Sequence, residues 1–129
     1  MRSSGLERSL INLIDIRVSQ INGCAYCLDM HVKDAKADGE REERIYQLPV
    51  WKETPYYTQR ERAALLWAET LTLLSETGVP EDVYEQVRGH FSEKELVALT
   101  HAINTINSWN RFNVAFRTPP GSYVTRRTK

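Results

Sequence analysis

The chain has 129 residues, a length that fits one domain with a hydrophobic core of its own. Its 17 basic and 17 acidic residues balance, so it lacks the positive field that binding to nucleic acid or an anionic membrane normally requires. We therefore expect a small-molecule substrate or a protein partner, with no nucleic acid and no membrane involved.

The first apolar segment does not have the pattern of a signal peptide, because Asn12, Asp15 and Arg17 interrupt it. The longest apolar run, AALLWA at 63–68, is far shorter than the roughly 20 residues that span a bilayer. These features predict a cytoplasmic protein. Structural disulfides rarely persist in that compartment, so a close pair of cysteines there indicates redox chemistry or metal binding more than a structural disulfide.

Two helices are predicted over the first 39 residues. Asn22 is the expected cap of the second helix, which would begin at Gly23 and run towards Gly39 with both cysteines in its first turns. Arg17 interrupts the apolar face of the first helix, which predicts an acidic partner for it. The apolar residues of that face, at helical spacing, are Leu6, Leu10, Leu13, Ile14 and Ile21.

The middle of the chain predicts a short helix, a loop and a long helix. The short helix lies around Arg41–Leu48 and ends before a loop that contains two prolines. Thr58 and Glu61 have the spacing of a capping box at the start of the long helix. Gly78 is expected to end that helix.

Two further helices are predicted in the C-terminal half. Pro80 suits the first turn of a helix that ends near Gly89. Ser92 and Glu95 repeat the capping-box spacing before the last long helix. Trp109 is expected to anchor this last helix in the core, and a pocket wall or a subunit contact is the alternative.

The sequence shows no convincing alternation with the two-residue period of a β-strand. We therefore predict an all-α protein, a helical bundle over residues 1–117. Residues 118–129 contain few apolar side chains and are predicted to form an extended or disordered tail.

The segment INGCAYCLDMH, at 21–31, contains both cysteines and one of the three histidines. On a helix, the spacing of three and then four residues places Cys24, Cys27 and His31 on one face. Residues one turn apart have Cα atoms about 5–6 Å apart, which is close enough for a disulfide. The segment therefore predicts one face that carries two thiols able to bond and one imidazole.

Reactivity requires a thiolate, and a cysteine with an ordinary pKa of about 8.5 is only a few per cent ionised at neutral pH. The dipole of the helix would lower the pKa of Cys24 by less than about one unit. A paired imidazole can lower the pKa of a thiol by several units. We therefore assign Cys27 as the nucleophile, Cys24 as the resolving thiol and His31 as the base.

Other interpretations of the cluster stay open at this point. The two thiols could be unreactive core residues, or they could bind zinc together with His31 and a fourth ligand, His90 or His101. The alternative function is then a redox-active or zinc-binding helical assembly protein with little or no turnover. Covalent haem attachment is not expected, because Leu28 rather than a histidine follows Cys27.

The segments IRVSQINGCAYCLDMH, RERAALLWAE and INTINSWNRF together resemble the alkylhydroperoxidase D-like branch of the carboxymuconolactone decarboxylase family. The resemblance covers most of residues 6–117. It implies an all-helical fold assembled as trimers or hexamers, and a thiol-dependent peroxidase or disulfide reductase without metal or haem. Branch members without the cysteine pair decarboxylate lactones, so the pair argues against that reaction here.

The resemblance also implies roles for single residues. The second cysteine of such enzymes attacks the hydroperoxide, the first forms the disulfide, and a dithiol or lipoyl-type protein reductant restores the thiols. These roles fall on Cys27 and Cys24.

The proton relay of the family also uses a glutamate twelve residues before the first cysteine, and that position is Asn12 here. An amide can hydrogen-bond a histidine but cannot accept a proton as a carboxylate does, so Asn12 as the possible relay residue predicts weak turnover. The nearby acids Glu7 and Asp15 are interpreted first as solvated or ion-paired surface acids.

Overall fold

The computed structural model describes residues 5–127, and residues 1–4 and 128–129, the outer ends of the predicted domain and tail, lie outside the described residues. Within the described range the regular secondary structure is entirely helical, which confirms the predicted all-α class. The α-helices are α1 (Arg8–Asn22), α2 (Ala25–Ala37), α3 (Glu42–Tyr46), α4 (Gln59–Thr72), α5 (Leu74–Thr77), α6 (Glu81–Arg88) and α7 (Glu93–Ala115), and a 3₁₀ helix covers Leu48–Glu53.

Helix α1 lies at the centre of the fold and packs against α2, α4 and α7. Most of its apolar side chains are buried, as the helical spacing predicts, whereas Ile11 and Ile21 are only partly buried. The expected acidic partner of Arg17 is Glu69 of α4, whose Oε2 accepts a hydrogen bond from Arg17 Nε at 2.9 Å. The buried residues of the three-helix contact include Leu10, Leu13, Ile14 and Ile16 of α1, Ala64, Leu65 and Ala68 of α4, and Leu99, Ile103 and Ile106 of α7.

Both predicted capping boxes are present. The Thr58 hydroxyl accepts the N–H of Glu61 at 3.1 Å, and the Glu61 carboxylate accepts the N–H of Thr58 at 2.8 Å. Ser92 and Glu95 make the same reciprocal pair at the start of α7. Each motif involves residues only three positions apart, and the two capping boxes define where α4 and α7 begin.

The junction between α1 and α2 differs from the prediction. Asn22 does not cap α2, since it is the last residue of α1, and Gly23 ends that helix with a positive φ of 70°. Cys24 is the residue that caps α2: its Sγ accepts the backbone N–H of Cys27 at 3.2 Å. A left-handed residue at this position favours glycine, so Gly23 allows the tight turn between the helices.

Helix α7 continues to Ala115 and carries Trp109 on its outer face, where the residue is 59% exposed. The predicted role of Trp109 as a core anchor is therefore wrong. The buried face of α7 continues instead through two polar residues, Asn107 and Asn110. The apolar spacing favoured the tryptophan because a search for apolar residues does not detect a buried face that continues through polar side chains.

Residues 118–127 have no regular secondary structure and lie along α2. The backbone N–H of Gly121 donates to Asp29 at 3.1 Å, and the hydroxyl of Tyr123 donates to the buried Asp34 at 2.8 Å. Arg127 reaches Asp38 with 2.6 Å between Nη1 and Oδ2. This segment is thus attached to α2 by polar contacts. Among residues 5–127, the structure contains no helix with the length and apolar character needed to cross a membrane.

Candidate active site

The two cysteines lie at the N-terminus of α2, where α1, α2 and α7 meet. Cys24 and Cys27 form a disulfide, with their Cα atoms 5.3 Å apart. This confirms the prediction that the two thiols are close enough to bond. Both cysteines are buried in the chain.

Polar side chains of α7 hold the α1–α2 junction in place beside the cysteines. Asn22 Nδ2 donates to Oδ1 of both Asn107 and Asn110 at 2.9 Å. Asn110, which is fully buried, donates in turn to the Ser19 hydroxyl at 3.1 Å. The backbone carbonyl of Ser19 accepts the N–H of Cys24 at 3.0 Å, so this amide network positions the turn that carries the first cysteine.

The sequence interpretation missed this amide network. Its signal is the spacing of Asn107 and Asn110, which continue the face of Ile103 and Ile106 at steps of three and four residues. A polar residue on an otherwise apolar face must be hydrogen-bonded when it is buried. That requirement points to a partner such as Asn22.

Helix α7 also supplies polar groups to the sulfur of Cys27. Asn113 Nδ2 lies 3.7 Å from Cys27 Sγ, and the carbonyl oxygen of Trp109 lies 3.9 Å from the same sulfur. In the reduced protein the carbonyl can accept the S–H of a thiol, and the amide N–H can stabilise a thiolate. Asn113 is a further residue of the site that the sequence interpretation did not identify.

His31 lies one helical turn after Cys27 on α2, as the spacing predicts. Its Nδ1 is 3.5 Å from Oδ2 of Asp15 on α1, and the two side chains are only 17% and 18% exposed. Asp15 is therefore largely buried against the predicted base and is not a solvated surface acid. Glu7 is an ion-paired surface acid, as interpreted from the sequence, because it is half exposed and pairs with Arg60.

The contacts of Asn12 lie at the other end of α2. Its Nδ2 donates to Asp38 Oδ2 at 2.8 Å, and its Oδ1 accepts from Arg127 Nη1 at 3.0 Å. Burial alone would raise the pKa of Asp38, but the hydrogen bond from Asn12 and the charge of Arg127 outweigh burial and hold that pKa below its ordinary value. These contacts give the buried amide a structural role in joining α1, α2 and the C-terminal segment.

The described residues do not bring together the ligands of the alternative zinc site. His90 lines a surface groove with Trp51 and Arg62, and His101 lines a different groove with Trp67 and Tyr84. Within residues 5–127, no three or more His, Cys, Asp or Glu side chains are grouped so that they could hold a metal ion.

Comparison with known proteins identifies relatives across most of the chain. A model of the carboxymuconolactone decarboxylase family matches residues 1–70. The chain is 47% identical over 114 residues to the uncharacterised protein YdfG of Bacillus subtilis, a match that covers 88% of this chain and 78% of YdfG.

Solved structures share the fold. A protein from Agrobacterium tumefaciens, provisionally described as the antioxidant defence protein AhpD, is 49% identical with a TM-score of 0.91, over 95% of this chain and 84% of that one. An alkylhydroperoxidase AhpD core, from a peroxidase-related protein of Ralstonia eutropha JMP134, is 22% identical with a TM-score of 0.78. That match covers 92% of this chain and 62% of the other, and at this identity it supports the fold alone.

Proposed function

This chain belongs to the carboxymuconolactone decarboxylase family, on its alkylhydroperoxidase D-like side, and from that premise we propose that it is a thiol-dependent peroxidase that reduces hydroperoxides. The observation that carries the proposal is the Cys24–Cys27 pair at the start of α2, with His31 one turn further along. Because the two Cα atoms are 5.3 Å apart, the pair can be oxidised and reduced without unfolding the helix.

The first step oxidises Cys27. His31 takes the proton of the Cys27 thiol, and the thiolate attacks the terminal oxygen of the hydroperoxide. An S–O bond forms, the O–O bond breaks, and the alkoxide takes the proton from the His31 imidazolium to leave as an alcohol. Cys27 becomes a sulfenic acid by losing two electrons, and the hydroperoxide gains them.

The second step forms the disulfide, and a third step restores the thiols. The Cys24 thiol attacks the sulfur of the Cys27 sulfenic acid, an S–S bond replaces the S–O bond, and the hydroxyl leaves with the Cys24 proton as water. A dithiol reductant, of which a lipoyl-type protein is one kind, then returns two electrons and two protons to the disulfide and is itself oxidised.

Geometry supports Cys27 rather than Cys24 as the nucleophile. Both sulfurs lie at the N-terminus of α2, where the helix dipole favours either thiolate by less than about one pKa unit. His31 is four residues from Cys27, and a helical side chain points back towards the residue four positions earlier. The imidazole therefore acts on Cys27, which also has the Asn113 amide beside its sulfur.

We propose further that the peroxidase acts as a homo-oligomer, a trimer or a hexamer. Support comes from an aromatic patch on the outer face of α7, made of Trp109, Phe112 and Phe116. Phe116 is 76% exposed in the single chain, and its ring stacks on that of Phe112 with 6.4 Å between the centroids. Contiguous exposed aromatic surface is typical of protein contacts.

The experiment that tests the peroxidase is consumption of tert-butyl hydroperoxide with dithiothreitol as the dithiol, for the wild type, Cys27→Ser and Cys24→Ser. We expect Cys27→Ser to lose the activity. Cys24→Ser should retain one turnover that leaves a sulfenic acid on Cys27, detected by dimedone labelling and mass spectrometry. Wild-type rates in both variants would rule out the proposal.

Zinc analysis of protein purified without a chelator separates the peroxidase from the alternative assembly protein. We expect substoichiometric zinc and two titratable thiols after reduction. One zinc per chain together with unreactive thiols would favour the zinc-binding assembly protein instead.

A further inference from the structure

We infer that Asp15 positions His31 for proton exchange with Cys27 and so serves as the acid of the relay. This inference rests on the proposed function, because a relay acid has a role only where His31 takes up the proton of a reacting thiol. It differs from the expectation based on sequence, in which position 12 held the relay residue.

Asp15 and His31 form a partly buried contact between a carboxylate and an imidazole on two helices. Asp15 Oδ2 on α1 lies 3.5 Å from His31 Nδ1 on α2, and less than a fifth of each side chain is exposed. Water and salt screen such a pair less than they screen a surface pair. The separation is slightly longer than a direct hydrogen bond, which is common for catalytic pairs before substrate binds.

A carboxylate at Nδ1 has two chemical consequences for the imidazole. It favours the tautomer with the proton on Nδ1, which leaves Nε2 as the nitrogen that exchanges a proton with the thiol. It also stabilises the imidazolium that forms when His31 takes that proton. The order Asp15, His31, Cys27 is thus the order of acid, base and nucleophile in a catalytic triad.

The other two candidates for the relay residue on or near α1 interact with groups other than His31. Asn12 contacts Asp38 and Arg127, and Glu7 is paired with Arg60. Position 15 lies three residues after position 12, which is about 4.5 Å along a helix and roughly 60° around it. An acid there remains on nearly the same face of α1, and in this structure it is the acid beside His31.

The test compares Asp15→Asn with Asp15→Glu and with Asp29→Asn as a matched control. Asp29 is an aspartate on the same helix as His31, and it pairs with Lys33. We expect Asp15→Asn to slow peroxide consumption by about tenfold or more, because the His31 imidazolium then loses the carboxylate that stabilises it. Asp15→Glu should recover most of the rate, and Asp29→Asn should match the wild type.

Coupling to His31 distinguishes a relay role from a structural one. If Asp15 acts through His31, the double variant Asp15→Asn/His31→Gln should be no slower than His31→Gln alone, because residues that act as a unit do not lose activity additively. Multiplied losses would overturn the inference, as would a wild-type rate in Asp15→Asn.

A second measurement keeps this test separate from that of the proposed function. Alkylation of reduced Cys27 by iodoacetamide at neutral pH reports thiolate formation without a peroxide. We expect Asp15→Asn to slow this alkylation by about threefold or more. If the wild type consumes no peroxide, the peroxidase proposal fails, while an unchanged alkylation rate in Asp15→Asn would overturn the role of Asp15.

Discussion

Asn113 Nδ2 lies 3.7 Å from Cys27 Sγ across the contact between α7 and α2. The same nitrogen donates to the carbonyl oxygen of Trp109, one turn earlier on α7, at 2.9 Å. This second bond uses one N–H and fixes the direction of the amide, so the other N–H is held towards the sulfur. A donor held in this way stabilises a thiolate more than a thiol.

Replacing Asn113 with leucine should therefore make Cys27 less reactive. Loss of one hydrogen bond to a developing charge is worth about 1 kcal/mol, which corresponds to roughly a fivefold slower alkylation of reduced Cys27 at neutral pH. The rate is measured with iodoacetamide and mass-spectrometric assignment of the labelled cysteine. Asn104→Leu, at an exposed asparagine on the same helix, is the control and should not change the rate. Equal rates in both variants would contradict the role of Asn113.

Asn12→Glu should lower stability and should not raise peroxidase activity. The substitution removes the donor to Asp38 and places a second carboxylate beside it in a buried position. We expect a loss of about 1–3 kcal/mol in the free energy of unfolding, measured by urea denaturation. The double variant Asn12→Glu/Asp38→Asn exchanges amide and carboxylate, and it should recover much of that loss. A stable Asn12→Glu protein with faster turnover would return the relay role to position 12.

The features that were predicted correctly from the sequence are those that depend only on residues close together in the chain. The capping boxes at Thr58 and Ser92 need only residues three positions apart, and the approach of Cys24 to Cys27 follows from one helical turn. The partner of His31 depends instead on how α1 packs against α2. A shift of three residues between Asn12 and Asp15 keeps nearly the same face, so the sequence could not decide which side chain would reach the imidazole.

The C-terminal segment was unpredictable for a related reason. Its few apolar residues predicted an extended or disordered tail and gave no sign that residues 118–127 are held by polar groups that bind carboxylates on α2. Asp34 is 4% exposed and accepts hydrogen bonds from Tyr123 and Thr125. Because a buried carboxylate needs partners from elsewhere in the chain, this attachment appears only when the tertiary structure is considered.

Phe112→Arg should weaken self-association. The ring of Phe112 lies between those of Trp109 and Phe116, with centroids 6.5 Å and 6.4 Å away, so a charge there would interrupt the aromatic patch. Burying an unpaired guanidinium in an apolar contact is strongly unfavourable. Analytical ultracentrifugation should show an oligomer for the wild type and a smaller species for Phe112→Arg. Val97→Arg, at an exposed apolar position nearer the start of α7, is the control and should sediment like the wild type.

Acid should destabilise the protein partly through Glu61. Burial alone would raise the pKa of this carboxyl, but its hydrogen bonds with Arg44 and Thr58 outweigh burial and hold the pKa below its ordinary value of 4.5. The guanidinium of Arg44 makes two contacts with the carboxylate, at 2.8 and 3.0 Å. Glu61 thus joins the start of α4 to α3.

The sign of the pH dependence follows from this lowered pKa. Between the ordinary and the folded pKa, the unfolded chain binds a proton that the folded chain does not, so falling pH favours unfolding. The contribution of Glu61 is present above about pH 4.5 and is lost as the pH falls through the lower folded value. Urea denaturation from pH 7 to pH 3 should show a shallower loss of stability for Glu61→Gln and for Arg44→Leu than for the wild type. Parallel curves for all three proteins would show that this pair does not contribute to acid unfolding.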